Sequence, residues 1–287
     1  MRRTLRLAAG LALLAQGAWA QGTVPAETIG QAGGLNFQSG LVAENLSGFA
    51  PQHTQQASLA PGRIAVETDP TRIRSGQTSI RMQIQPGDCS ARIGGGQPDD
   101  CASGNERIEI GSGQGASGIM LEAFSLMLGG DFRNLNDNAP AVNLVQWFQQ
   151  NAGACFSLQY NAVRENLSIR NRCTNGSYNT AEPQDVELRG NPIDSWQEFV
   201  VLANWSKGAD GLFRVLVNND LVYDYRGPTL AAEGADVVSE RFMILRQNGL
   251  GVHTGAATMW LDDVIRAGSV AELETRYAFE RANLGVQ

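Results

Sequence analysis

Short apolar runs of period two, punctuated by Gly, Asn, Asp and Pro, constrain this chain more than any other feature. Ile80, Met82 and Ile84 alternate with Arg81, Gln83 and Gln85, and Ile108 and Ile110 alternate with Arg107 and Glu109. That period turns one side of a strand to a core and leaves the other among polar groups. The series continues over 142–149, 199–205, 212–217, 221–225 and 241–246. Asn218-Asn219-Asp220 joins two of these runs as a hairpin turn, because Asn and Asp tolerate positive φ. No internal repeat and no strand–helix alternation is present, which argues against a doubly wound sheet. The pattern predicts an all-β sandwich or jelly roll of two antiparallel sheets. Ser269-x-x-Glu272 is a capping box ahead of Leu273, Tyr277 and Leu284, predicting one short helix in a tail over 269–287.

The N-terminus reads as an export signal. Arg2, Arg3 and Arg6 precede an apolar run over 7–14, and Ala18-Trp19-Ala20 supplies a small-x-small cleavage pattern. A signal peptide over 1–20, cleaved near Ala20, leads to a secreted or periplasmic protein. A loose Gly, Ala, Thr and Gln leader follows over 21–35, and the sandwich is expected over 36–268. No other apolar run reaches the about 18 residues that a membrane span needs. The four cysteines suit an oxidising compartment and allow three connectivities. The expected pairing is Cys89–Cys101 with Cys155–Cys173. Both are local, and a hairpin of 156–160 with 167–172 sets Cys155 opposite Cys173. The rival reading, a zinc site, finds no C-x-x-C and no histidine near any cysteine. Lys plus Arg total 22 against 29 Asp plus Glu, and removing the three signal arginines changes 22 − 29 = −7 to 19 − 29 = −10. That balance speaks against nucleic acid as a partner. Only His53 and His253 are histidines, which argues against a multi-histidine metal centre.

Several segments resemble, in order, the heparin lyase I and glucuronan lyase type of polysaccharide lyases. RIRSGQTSIRMQIQPGDCSA (72–91) and NERIEI (105–110) resemble the opening strand pair and R-x-E strand of that family. SWQEFVVLANWSKGADGLFRVLVNNDLVYDYRGPTL (195–230) resembles its hairpin region, and WLDDVIRAG (260–268) its closing strand. The resemblance implies a concanavalin-like jelly roll with a sugar-binding groove on one sheet and β-elimination at a uronic acid. In that chemistry a polar or cationic side chain neutralises the C6 carboxylate, a base takes the C5 proton, and an acid protonates the leaving oxygen. The family set is Arg from R-x-E, Gln and His from Q-x-H, and Tyr from a late K-x-G-x-Y strand. Carried over by position, Arg107 and Glu109 match R-x-E, Gln146 matches the Gln, and Arg241 stands at the Lys. Phe148 replaces the His and Leu245 the Tyr, so the usual base and acid are missing.

The expected ligand is therefore a polysaccharide, held through Arg107, Glu109, Gln146 and Arg241, with Arg107, Gln146 and His253 as the catalytic candidates. His253 follows a Gly-rich turn and is either a relocated base or an ordinary loop histidine; Tyr223 and Tyr225 stand behind it. Arg107 and Glu109 have a plainer reading as an ion-pair ladder. Trp147, Trp196, Trp205 and Trp260 read as core. No cofactor is required, although Asp262 and Asp263 could hold calcium, one of them being solvated if the strand is regular. A monomer is expected. The alternative to a lyase is a catalytically silent glycan-binding or envelope structural jelly roll.

Overall fold

A computed structural model describes residues 35–36, 49–51, 60–91, 99–112, 115–135, 141–179, 183–188, 190–248 and 251–286. The segments expected as signal peptide and, except for Leu35, as leader lie outside these. Fifteen strands carry the described fold: β1 (Leu35–Asn36), β2 (Phe49–Pro51), β3 (Ile64–Glu67), β4 (Ser79–Ile84), β5 (Glu106–Ser112), β6 (Gly118–Leu128), β7 (Ala141–Gln149), β8 (Gly153–Asn161), β9 (Asn166–Asn171), β10 (Gln184–Glu187), β11 (Gln197–Trp205), β12 (Leu212–Val217), β13 (Asp220–Arg226), β14 (Val238–Arg246) and β15 (Ala257–Ala267). Three short helices join them: α1 (Asp100–Ser103), α2 (Val270–Glu274) and α3 (Arg281–Leu284).

The strands form two antiparallel sheets, as the period-two runs predict. One has eight strands in the order β13-β12-β11-β6-β15-β4-β3, with β1 also on β15. The other has seven, in the order β10-β9-β8-β7-β14-β5-β2. Ile80, Met82, Ile84, Ile108 and Ile110 all bury their side chains between the sheets. Aromatic rings fill the centre, with Phe156 stacked on Phe213 at 4.0 Å and Phe124 on Phe199 at 4.9 Å. Trp147 meets Phe213 edge-on at 4.9 Å. Each fully buried ring of this kind is worth about 3–5 kcal/mol against alanine. Trp205 lines this core, but Trp196 is half-buried and Trp260 lies on the other side of its strand from Met259 and Leu261. Arg72 covers the Trp260 ring at 4.4 Å, and the indole N–H donates to Glu67.

A second apolar layer lies on the opposite face of the eight-stranded sheet. Leu121, Val200, Leu202, Leu216 and Ile265 pack there against Val270, Leu273, Tyr277, Leu284 and Val286. The C-terminal tail is thus docked, and it forms two short helices where one was expected. The capping box is present, with Glu272 N–H donating to the Ser269 hydroxyl and Gly268 N–H to the Glu272 carboxylate. The break after α2 lets the Tyr277 hydroxyl donate to the Asp263 carbonyl, and lets Glu280 N–H be held by Asn219. Asn219 belongs to the expected β12–β13 turn, where Asn218 and Asn219 have φ of 50° and 71°. Two positive φ values match the twist of a tight hairpin.

Both expected disulfides are present. Cys89–Cys101 ties α1 to the loop after β4, and Cys155–Cys173 joins β8 to the end of β9.

Candidate functional site

The seven-stranded sheet turns Ile108, Ile110, Phe242, Trp147, Phe156 and Leu158 inward. Alternation then places Arg107, Glu109, Arg241, Gln146, Phe148, Ser157 and Arg170 on its outer face. Strand pairing brings most of these side chains together. β14 lies between β7 and β5, setting Arg241 opposite both Gln146 and Gly111. Beyond Gln146 the same row runs through Ser157 and Arg170 to Asp185 on the edge strand β10.

An ion-pair chain crosses one side of this face. Arg107 donates to Asp100 at 2.8 Å and to Glu109 at 3.4 Å, and Glu109 also lies 3.5 Å from Arg241. The Arg241 guanidinium sits 3.7 Å from the centre of the Phe148 ring, a cation–π contact. Arg107, Glu109 and Asp100 are all buried, whereas the Arg241 side chain is 22% exposed. Burial pushes the Asp100 carboxyl above its ordinary range and the Arg241 guanidinium below its own. Two cations and two carboxylates balance here, so Arg107 is already partnered. Arg241 is the more exposed of the two cations. The Gln146 amide faces Arg241 and forms no hydrogen bond among the described residues. Next to this row, Gln159 donates to Asn143 at 2.7 Å, both fully covered.

Asp100 was not singled out in the sequence, and a disulfide is what brings it here. Cys101 follows it in α1, and the Cys89 link holds the helix beside β5. Arg170 and Ser157 were also missed: the expected hairpin register set Cys155 opposite Cys173, whereas the strands pair one residue off it, with Cys155 opposite Arg172 and Ser157 opposite Arg170.

The structure does not bring His253 to Gln146. His253 is buried in the loop after β14, within electrostatic reach of Arg246, which stands five residues, roughly 16 Å, along the strand from Arg241. Burial and the Arg246 charge push its imidazole down to about 4. Arg246 itself is paired with Glu106 at 2.5 Å, both fully buried. Tyr223 and Tyr225 belong to the other sheet and pack into the core. Burial raises both hydroxyls, that of Tyr223 to about 12. Leu245 is buried opposite Arg107 on β5.

Asp262 and Asp263 sit at a bulge in β15, where Asp263 has φ of 51°. The bulge breaks alternation, so neither is solvated as a regular strand would require; both are buried. Asp262 accepts from the Arg74 and Ser75 N–H groups, and Asp263 from the Arg74 guanidinium at 2.7 Å. Burial, with help from Asp263, raises Asp262 to about 6. Among the described residues no group of three or more His, Cys, Asp or Glu is placed to hold a metal ion. Behind the outer face, Glu240 pairs with Arg266, and Trp147 donates to Glu122 at 2.9 Å. Burial and the Glu240 charge push the Glu122 carboxyl well up.

Two antiparallel sheets packed face to face, with few and short helices, define a jelly-roll sandwich. The chain belongs to the polysaccharide lyase family, whose sequence pattern matches residues 43–265. It is similar in structure to the endo-β-1,4-glucuronan lyase of the fungus Trichoderma reesei, with a TM-score of 0.54 and 14% identity over 73% of this chain and 89% of that one. It also matches the alginate lyase Aly36B at a TM-score of 0.47 and 7% identity, over 83% of this chain and 97% of that one. The likeness to the glucuronan lyase shows the fold; the family match implies a polysaccharide substrate. Curated protein sequences give no match. No helix among the described residues is long and apolar enough to cross a membrane.

Proposed function

We propose that this chain is an exported, lyase-like protein that binds a uronic-acid polysaccharide across the outer face of the seven-stranded sheet, with β-elimination strongly reduced. The observation that carries this reading is Arg241, stacked on Phe148, braced by Glu109 and facing the Gln146 amide. A guanidinium fork and an amide suit a C6 carboxylate. Glu109 keeps Arg241 oriented, and Arg107 with Asp100 keeps Glu109 in place. The Phe148 ring can support a cation or a sugar face but cannot take a proton, and Leu245 cannot give one. The loss of one general base or acid removes about 10²–10⁴-fold in rate, so losing both leaves a binding groove. Export rests on the 1–20 signal pattern and agrees with the two disulfides.

The test is a paired measurement on mature protein with glucuronan, alginate and heparin. Calorimetry should show binding to at least one uronate polymer, abolished in Arg241→Ala. Absorbance of unsaturated uronate should rise little above the no-protein control. Rapid formation of unsaturated product would defeat the silent-groove reading, and no binding to any uronan would defeat the glycan reading.

A further inference from the structure

The cations on the outer face of the seven-stranded sheet differ in what they hold. Arg107 is taken by Asp100 and Glu109, Arg241 shares Glu109, and Arg170 forms a bidentate pair with Asp185, both contacts at 2.7 Å. Arg172 is the exception. Its backbone continues the β9 ladder, with Arg172 N–H donating to Cys155 and Asn179 N–H donating to the Arg172 carbonyl, both at 2.8 Å. Asn171 is fully buried on the inward side, so alternation turns Arg172 outward with Arg170. Among the described residues no carboxylate lies within ion-pair distance of Arg172. Its Nη1 lies 3.5 Å from the Tyr178 hydroxyl, and its Nε is buried with no acceptor.

A buried guanidinium N–H without an acceptor is costly unless something else supplies one. The site is also rigid. The Cys155–Cys173 disulfide ties the residue that follows Arg172 to Cys155, which lies opposite Arg172 on β8. Tyr178 lies so close over Gly153 that a Cβ there would come within 2.5 Å of its ring, so the glycine makes room for the group beside Arg172.

We propose that Arg172 is a second carboxylate anchor of the groove, so that the ligand is a polyuronate charged at several units and not a glycan with one isolated uronate. This rests on the reading of the outer face as a glycan groove. β9 and β14 are three strand intervals apart, roughly 14 Å, and Arg172 lies two residues, roughly 7 Å, along the strand from Arg170 in the row of Arg241, so the two guanidinium-bearing positions are roughly 16 Å apart on a diagonal. A 1,4-linked pyranose is close in length to one interval, so a polymer laid across the strands spans Arg241 and Arg172 with about three units.

The experiment titrates mature protein with a β-1,4-linked glucuronate disaccharide, the hexasaccharide, and cellohexaose as the uncharged analogue. Wild type should bind the hexasaccharide more tightly than the disaccharide. Arg172→Gln should lose roughly 10–100-fold on the hexasaccharide while leaving the disaccharide within about two-fold. Arg172→Lys, which keeps the charge but not the fork, should lose less, and cellohexaose should not distinguish the three proteins. Unchanged thermal midpoints separate these effects from misfolding. If Arg172→Gln keeps the full gain with length, the anchor is wrong and the groove reading stands. An equal loss on both uronates also overturns it, because Arg172 would then be the primary site. If wild type binds neither uronate, both the groove and the anchor fall together.

Discussion

Phe148 stands where the family motif has histidine, and the exchange alters what its neighbour can do. An imidazole beside Arg241 would meet a like charge whenever protonated, whereas a phenyl ring attracts the guanidinium at 3.7 Å. At this position the side chain holds a cation and has no proton to exchange. The protein's described histidine, His253, has a different consequence. Its imidazole is lowered to about 4 in the fold against 6.5 ordinarily, so between those values the unfolded chain binds more protons than the native one. Stability from this residue is therefore complete above about pH 6.5 and lost as pH falls towards 4. We expect His253→Gln to flatten the acid side of the urea-midpoint profile by roughly 2–3 kcal/mol. Taking the difference between variant and wild type removes other groups that titrate there, including Asp262. Parallel profiles for the two proteins would show that His253 is not buried in its neutral form.

At the scale of elements, what was legible in the sequence depended on how many sides of a strand are apolar. β4, β5 and β13 keep one polar side, and their period of two is plain. β6, the run GIMLEAFSLML, has no such period and was missed, although it is among the longest strands. It contacts the aromatic core on one side and the C-terminal tail on the other, so both faces are apolar. The candidate site was half legible for a related reason. Arg107, Glu109, Gln146 and Arg241 stand out along single strands, but Asp100, Arg170 and Arg172 reach the face only through pairing and disulfides. Asp100 is the clearest case, since it depends on Cys101. Replacing Cys89 and Cys101 together with serine should cost roughly 2–3 kcal/mol for a separation of 12 residues. It should also release Asp100 from Arg107, measurable as a lower thermal midpoint and altered affinity for a uronate oligosaccharide. A change in midpoint without any change in affinity would show that Asp100 does not tune the face.

For the whole molecule, the tail is the element that closes the surface. Ending the chain at Gly268 would uncover Leu121, Leu202, Leu216 and Ile265 as one apolar patch on the eight-stranded sheet. Patches of that kind drive association. The truncated protein is expected to elute as oligomers or precipitate on gel filtration, while full-length protein does not; a soluble truncated monomer would refute the docking role. The order of the strands reaches further than the tail. β14 lies between β7 and β5, and β15 between β6 and β4, so both sheets receive an inner strand from beyond residue 237. A growing chain has four-fifths of its length made before either gap can be filled. Pairings this distant in sequence slow the search for the native state. Neither sheet can therefore be completed until synthesis of the chain is nearly over, so the inner pairings of both are the last to become available.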